Sequence, residues 1–530
     1  MKLRVLALVA GLHLLAAVLF LSRCGPGFPL DDAWGHLVYG RSLATLHGLA
    51  YNPGQPEAGV TSPLWTYLCA VPAGLVEWGL QSRPDHAMRV LGLLFGFFAC
   101  LAGARLARRA GPWPEAAVIL LLTFDPLLLA GRFSGMELPL FALLSLLFVE
   151  AQIDDRPPRL GWICGLALLT RPEALLFVAL ALPRQLRTRA RATAFLLPLL
   201  LCALPFAAWN QWVAGHPWPN TWANKADFVL QVRPLFDALG ALARDTGLGW
   251  ALLLLLVAGA FGLEGVARGL ARTLLVTAGA LLLGVLLTRP MPVGFDGTRV
   301  PFYFERYALL AWPLLLVVAA AGGASLVRTA WAGTRCKPAA GLALAAPLLV
   351  TLTLARGAPA HAAHVASRFA AECADVEALN VAAGTWIDAH LSLTALVATH
   401  DAGAVRYFGK RHVLDIFGNN DVHMAQLLAA AERAQAEGSP ADAARAGDAV
   451  TDYLRARDPD VLACFPLVDA VNHAPELQRL PPELQQELLA TRDDYAGALG
   501  LTRRVANFHV DESATVGGVM QRDFAVYVRP

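Results

Sequence analysis

Long apolar runs constrain this chain more than any other feature of its sequence. They follow one another from about residue 4 to about residue 355 and carry few charges. A helix needs about 20 such residues to cross the bilayer core, which is about 30 Å thick. The runs show no strand-like alternation, and backbone polar groups in lipid must bond within their own segment, so we predict helices. The candidate segments are residues 4–21, 63–80, 88–104, 116–130, 137–151, 160–182, 192–213, 248–266, 270–288, 307–327 and 339–355.

Composition divides the chain into two parts. Hydrophobic residues make up 56% and charged residues 16%, whereas a soluble domain has about 45–50% and about 25%. The excess ends near residue 355. We therefore predict an α-helical polytopic membrane domain over residues 1–355, with about 10–12 membrane segments, and a soluble α/β domain over residues 356–530. The net charge of +2 gives no indication of a nucleic-acid partner.

The N-terminal segment has a basic start and an apolar run, which also suits a signal peptide. It lacks an obvious cleavage site, so we expect residues 1–21 to remain as the first helix. We place Met1 in the cytoplasm of a bacterium, with the chain in its inner membrane.

Basic loops predict the orientation, because cytoplasmic loops are enriched in Lys and Arg. Three such loops lie at residues 184–191, 268–272 and 328–337. With alternating segments, the loop at 22–62 and the domain at 356–530 are then extracytoplasmic. Arginines at 105, 108 and 109 disagree, since strict alternation places them outside. Segments that a proline interrupts, at Pro72, Asp125-Pro126 or Arg171-Pro172, would break the count if they are re-entrant half-helices.

The C-terminal part reads as a mixed α/β domain. Short apolar stretches predict strands at Ala395–Thr399, His412–Ile416 and Val461–Phe465, and an amphipathic pattern predicts a helix over 422–437. In an extracytoplasmic domain, Cys373 and Cys464 could pair.

The acidic pair Asp31-Asp32 follows the first apolar segment after a short linker. A carboxylate at the membrane surface can act as a general base on an acceptor hydroxyl. The alternative is an acidic cap on a helix at Ala33–Leu46, because carboxylates stabilise helix N-termini. The turn-rich loop from Gly48 to Trp65 is either part of a site or a connector into a helix that Ser62 caps.

Further charged residues lie inside or beside apolar segments, where they are costly and mark candidate functional sites. Each also has a structural alternative: an acidic helix start, a local ion pair or an interfacial anchor. These residues are Glu137, Arg171, Glu173, Lys225 and Arg306. There is no P-loop, nucleotide-binding glycine motif, zinc-ligand spacing or nucleophile elbow, which argues against a nucleotide-driven pump.

In their order along the chain, these motifs resemble the GT-C fold glycosyltransferases that use lipid-linked sugars. The resemblance is to a branch of the protein O-mannosyltransferase-like superfamily that includes the mycobacterial terminal arabinofuranosyltransferases. Gln55, Ala58 and Val60 depart from the usual residues of that branch. The matching positions are Asp31-Asp32-Ala33, His47-Gly48-Leu49, Asn52, Gly54, Glu57, Gly59, Thr61-Ser62, Leu64-Trp65, Gly135-Met136-Glu137, residues 169–173, Gly215, Pro219-Asn220-Thr221, Lys225 and Arg306-Tyr307.

The resemblance implies transfer of a sugar from a polyprenyl-phosphate donor to an extracytoplasmic glycan, lipid or protein, with inversion at the anomeric carbon. It implies that Asp31 is the base and that Asp32 and Glu137 assist it. Arg171, Lys225 and Arg306 would hold the donor phosphate. The remaining implied substrate-binding residues are His36, Asn52, Glu57, Glu173 and Asn220. No cofactor is certain, but some relatives use a divalent cation at an acidic site, and Asp31, Asp32 and Glu137 could form such a site here.

Two other functions remain open from the sequence. A transporter or lipid flippase would account for broken helices and intramembrane charges, and predicts two related halves. A non-catalytic assembly or sensor protein would have no need of Asp31.

Overall fold

The computed structural model describes residues 3–220, 249–286, 306–333, 359–436, 440–464, 499–501, 503–510 and 523–530. The predicted segment at 339–355 lies outside these ranges. The helices of the N-terminal part are α1 (Leu3–Leu21), α2 (Asp31–Ala44), α3 (Pro63–Glu77), α4 (Asp85–Arg108), α5 (Pro112–Phe124), α6 (Pro126–Phe133), α7 (Leu138–Ile153), α8 (Pro157–Leu168), α9 (Leu175–Gln185), α10 (Arg189–Ala214), α11 (Gly249–Phe261), α12 (Gly265–Leu286) and α13 (Trp312–Gly333).

Several of these helices are long and apolar enough to cross a membrane. In the described part of the chain, α4, α10 and residues 265–284 of α12 meet both conditions, and the bent pair α5–α6 would make a fourth span. Shorter apolar helices include residues 6–21 of α1, α7 and residues 312–328 of α13. The prediction of a helical membrane protein is confirmed at this level.

Proline breaks two of the three segments in which the sequence predicts a break. At Asp125-Pro126 the chain bends by 52° between α5 and α6. The Arg132 guanidinium donates to the backbone oxygens of Leu122 and Thr123, which bonds carbonyls left open at the end of α5. At Arg171 the backbone is extended between α8 and a short 3-10 turn. By contrast, α3 continues through Pro72.

The arginines that disagree with strict alternation of the membrane segments lie at one end of the helix bundle. Arg105 bonds Glu150 at the end of α7, at 3.0 Å, and Arg109 bonds Asp154 at 2.7 Å. The neighbouring Asp155 pairs with Arg184 of the main basic loop at 2.8 Å. Strict alternation is therefore wrong. The predicted segment 160–182 shows this directly, because Asp155 before it and Arg184 after it form an ion pair, so this segment does not cross the bundle once.

The C-terminal part is a mixed α/β domain, as predicted. Its elements are helices α14 (359–376), α15 (Ala382–His390), α16 (Ala402–Gly409), α17 (Val422–Ala436) and α18 (Pro440–Arg457), and strands β3 (Leu396–Thr399), β4 (His412–Asp415), β5 (Val461–Cys464), β6 (Arg503–His509) and β7 (Asp523–Val528). A π-helical turn, Glu377–Val381, joins α14 to α15. The strand order is β4-β3-β5-β7-β6. The strand β3 is parallel to β4 and β5, and β7 is antiparallel to β5 and β6. The predicted disulfide between Cys373 and Cys464 is not formed, because Cys373 is a buried free thiol.

A continuous apolar core joins the two parts. Phe20 of α1 contacts Phe369 of α14, with ring centroids 5.3 Å apart. In the long loop, β1 (Ala50–Asn52) and β2 (Gln55–Pro56) form a small hairpin, and Asn52 bonds the C-terminal domain at Val413. Between α3 and α4, Arg83 forms a two-bond ion pair with Glu377 at 2.5 and 2.9 Å. The first long loop and the start of α2 therefore lie between the helix bundle and the C-terminal domain.

Candidate active site

The acidic pair begins α2, and its two carboxylates face different partners. Both oxygens of Asp31 accept backbone hydrogen bonds at the start of α16, from Gly403 at 2.6 Å and Ala404 at 2.7 Å. Burial, and secondarily the nearby Asp401 carboxylate, raise the pKa of Asp31 above its usual range. The two N–H groups act in the opposite direction and lower this pKa, but by less. A carboxylate in this setting is a stronger base than an exposed one.

The second carboxylate, Asp32, is 46% exposed and bonds the buried Arg306 guanidinium at 2.8 Å. Arg306 also donates to the hydroxyl of its neighbour Tyr307, at 3.4 Å. Its guanidinium carbon lies 5.2 Å from the centre of the Tyr307 ring. Residues separated by 274 positions thus meet at the start of α2.

A second arginine is held by two carboxylates. The break after α8 presents Arg171, which donates to Glu137 at 2.5 Å and forms two bonds with Glu173 at 2.7 and 3.2 Å. The side chains of Glu137, Arg171 and Glu173 are 3%, 8% and 15% exposed. The Arg171 guanidinium lies 5.3 Å from the Tyr307 ring centre, so both arginines border one aromatic ring.

His36 connects these two groups. It lies one helical turn beyond Asp32 on α2, and its Nδ1 is 3.1 Å from the hydroxyl of Thr66. Its Nε2 is 3.7 Å from the second oxygen of Glu137. We use the name charged cluster for Asp32, His36, Glu137, Arg171, Glu173 and Arg306. Three carboxylates and two guanidinium groups there can stabilise developing charge and exchange partners when an anion binds.

Two other predicted residues face the C-terminal domain. The Asn52 side chain donates to the backbone oxygen of Val413 at 2.8 Å and accepts from its N–H at 2.9 Å. Glu57 faces Asp421 and Asp415, and burial, followed by Asp421, raises its pKa to about 8.

The remaining two predicted residues belong to the motif that follows α10. Asn220 is buried, and its backbone N–H donates to the oxygen of Ala58 at 3.0 Å. Lys225 lies outside the described residues.

Three residues that contact the site have no role predicted from the sequence. Tyr307 is adjacent to Arg306 in the sequence, and this adjacency is a usable signal. Thr66 and Gly403 carry no such local signal, because their contacts are with His36 and Asp31, distant along the chain.

The acidic residues do not gather into a cation site within the described ranges. No group of three or more His, Cys, Asp or Glu side chains is arranged there to hold a metal ion. Asp31 bonds backbone amides, whereas Asp32 and Glu137 each bond an arginine. These residues would have to change partners to coordinate a divalent cation.

Solved structures share this architecture over nearly the whole chain. ArnT from Cupriavidus metallidurans in the apo state has a TM-score of 0.52 and 14% identity, covering 98% of this chain and 97% of that one. The same protein bound to undecaprenyl phosphate gives 0.51 and 15%, covering 99% and 98%. The archaeal oligosaccharyltransferase AglB from Archaeoglobus fulgidus, in complex with an inhibitory peptide and a dolichol-phosphate, gives 0.55 and 11%, covering 92% and 72%.

Sequence comparisons reach less of the chain. A domain family of unknown function (DUF8728) matches residues 370–526, within the C-terminal domain. No curated protein matches the chain. At these identities the structural likeness concerns the fold, and the prediction of the GT-C fold is confirmed.

Proposed function

We propose that this protein is a membrane glycosyltransferase that moves a sugar from a polyprenyl-phosphate donor to an extracytoplasmic acceptor. The observation that best supports this proposal is the charged cluster. In it, residues from motifs that are distant along the chain lie together beside the acidic pair, in a GT-C fold. The ArnT and AglB structures contain undecaprenyl phosphate and a dolichol-phosphate, respectively, which supports a lipid phosphate as the donor. The acceptor class is an envelope glycan, a lipid or a protein.

The proposed reaction is a single displacement at the anomeric carbon. The acceptor oxygen forms a bond to that carbon while the bond to the phosphate oxygen breaks, and configuration inverts. Asp31 takes the acceptor proton, a role that its burial favours by raising its basicity. The negative charge that develops on the departing phosphate is stabilised by Arg306 and Arg171, with Lys225 as a further cation.

Both arginines are bonded to carboxylates, and this suggests how the donor enters. Because Asp32 is half exposed, its bond to Arg306 is the more accessible one for a phosphate to replace. Arg171 is bonded on two sides by Glu137 and Glu173, so a phosphate would reach it only in exchange for one of these carboxylates. We assign His36, at the edge of the cluster, to the sugar.

The arginine-rich end of the bundle supports an orientation. Arg105, Arg109 and Arg184 share that end, and the enrichment of basic residues on the cytoplasmic side assigns it to the cytoplasm. We therefore place the acidic pair and the C-terminal domain on the extracytoplasmic side of a bacterial inner membrane.

The test is donor consumption by purified protein in lipid nanodiscs. A mixed pool of polyprenyl-phosphate sugars is supplied with a membrane extract as acceptor, and each donor is followed by mass spectrometry. We expect the wild type to consume one donor and Asp31→Asn to lose about a hundredfold or more in rate, the range for a general base. Asp32→Asn should chiefly lower donor KM, because the phosphate would no longer have to displace a carboxylate from Arg306.

Lys410→Gln is the matched control, because Lys410 pairs with Asp388 on the surface of the C-terminal domain. If no donor is consumed under any condition, the glycosyltransferase proposal fails. If Asp31→Asn is as active as wild type, transfer stands but the base is another residue.

A further inference from the structure

The helix α16, which joins β3 to β4, begins directly against the proposed base. The N–H groups of Gly403 and Ala404 each bond a different oxygen of Asp31, at 2.6 and 2.7 Å. The approach is close enough to require glycine. A Cβ added at Gly403 would lie 2.2 Å from the Asp31 backbone oxygen and 2.7 Å from a carboxylate oxygen.

Several contacts hold α16 in this place. The Tyr51 hydroxyl donates to the backbone oxygen of Ala402. Arg41 of α2 donates to the backbone oxygen of Tyr407 at 2.7 Å and lies 3.7 Å above that residue's ring. Trp34, three residues beyond Asp31, contacts Phe408, with ring centroids 4.8 Å apart. The contact with Asp31 is therefore part of a packed interface.

A second carboxylate at the same helix start is held separately. Asp401 precedes α16, and its side chain accepts a hydrogen bond from Asn380 at 2.8 Å. The helix N-terminus favours negative charge. Its Gly403 and Ala404 amides donate to Asp31, so the carboxylate that stabilises this helix start comes from the membrane domain.

We propose that the C-terminal domain completes the active site, with the Gly403 and Ala404 amides orienting the Asp31 carboxylate. This inference rests on the proposed function. Two N–H donors fix the plane of the carboxylate, while the lone pairs that they leave open remain for the acceptor proton. Orientation of a reacting group is worth large factors in rate, and small misplacements lose them. Gly403 is a positioning residue, because it acts through Asp31.

The decisive variant is Gly403→Ala, with Gly447→Ala as the matched control. Both replace a helical glycine of the C-terminal domain, but a Cβ at Gly447 meets nothing within 4 Å. We expect Gly403→Ala to lower kcat about a hundredfold with donor KM unchanged, and Gly447→Ala to behave as wild type. The acidic limb of the pH–kcat profile should also move in Gly403→Ala, which a merely structural role would not cause.

Hydrogen–deuterium exchange tests the contact without activity. The peptide covering 402–409 should be protected in the full-length wild type and should exchange faster in Asp31→Ala and in Gly403→Ala, while peptides from β3 and β5 stay protected in all three. If Gly403→Ala unfolds the domain, exchange will also be faster in β3 and β5. The test then rests on exchange at 402–409 in Asp31→Ala.

Two results would overturn the inference: wild-type kcat in a folded Gly403→Ala protein, or unchanged exchange at 402–409 in Asp31→Ala. A wild type that consumes no donor, but shows the exchange coupling, refutes the proposed function while leaving the contact established.

Discussion

Replacing Arg171 by methionine should strongly destabilise the protein. Arg171 is the cation of a buried triad, in which it makes one bond to Glu137 and two to Glu173. The three side chains are between 3% and 15% exposed. Methionine keeps much of the volume but leaves two buried carboxylates without a cation. Breaking a buried pair in this way costs about 3–5 kcal/mol, chiefly because the remaining charge is uncompensated.

The same reasoning predicts that neutralising the partners recovers the loss. The triple variant Arg171→Met, Glu137→Leu, Glu173→Leu removes every charge of the triad, and replacing a buried ion network by hydrophobic residues is often close to neutral in stability. We expect it to unfold within about 1 kcal/mol of wild type. The control is Arg445→Met, whose exposed pair with Asp442 should contribute less than about 1 kcal/mol.

The assay is chemical unfolding in detergent micelles, followed by tryptophan fluorescence at several denaturant concentrations. If Arg171→Met unfolds like Arg445→Met, the triad is not a buried charge network. If the triple variant is no more stable than Arg171→Met alone, the loss arises from packing and not from uncompensated charge. Either outcome refutes the electrostatic account of the triad.

Three further predictions concern other parts of the molecule. Gly92→Ala should destabilise by about 1–3 kcal/mol in the same unfolding assay, because the new Cβ would lie 1.8 Å from the Arg132 backbone oxygen, whereas Gly269→Ala, with open space around it, should not. Arg306→Gln should raise donor KM about tenfold, the loss of one charge-assisted hydrogen bond, and an unchanged KM would remove Arg306 from the phosphate site. Burial raises the pKa of Glu57 from its ordinary 4.5 to about 8, so folding favours its protonated form. The free energy of unfolding should therefore fall as pH rises from 4.5 through 8, and the melting temperature of the wild type should fall with it. Glu57→Gln should not show this fall.

Local chemistry explains what was predictable from the sequence. Proline removes a backbone donor, and this marks the breaks at Asp125-Pro126 and Arg171-Pro172. A charge within an apolar run is costly without a partner, so the sequence alone marks Arg171 and Glu173 as candidate site residues, and the structure shows them as an ion pair. The strands β3, β4 and β5 are predictable because each is a short apolar stretch between turns.

The remainder depends on contacts that no local pattern encodes. The bond between Asp31 and Gly403 joins residues 372 positions apart, and β5 pairs with β7 although Cys464 and Asp523 are 59 positions apart. Hydropathy also does not reveal whether an apolar segment crosses the bundle once, so residues 160–182 read as one span although Asp155 and Arg184, which flank them, form an ion pair.

The bond between Asn52 and Val413 bears on how the C-terminal domain would behave alone. The strand β4 is at the edge of its sheet, and the Asn52 amide group occupies both the N–H and the C=O of Val413, as a neighbouring strand would. Open edges template pairing with other chains. An excised fragment starting near residue 359 would expose this edge, so we expect it to self-associate, with β4 strands from two copies taking the place of the missing asparagine.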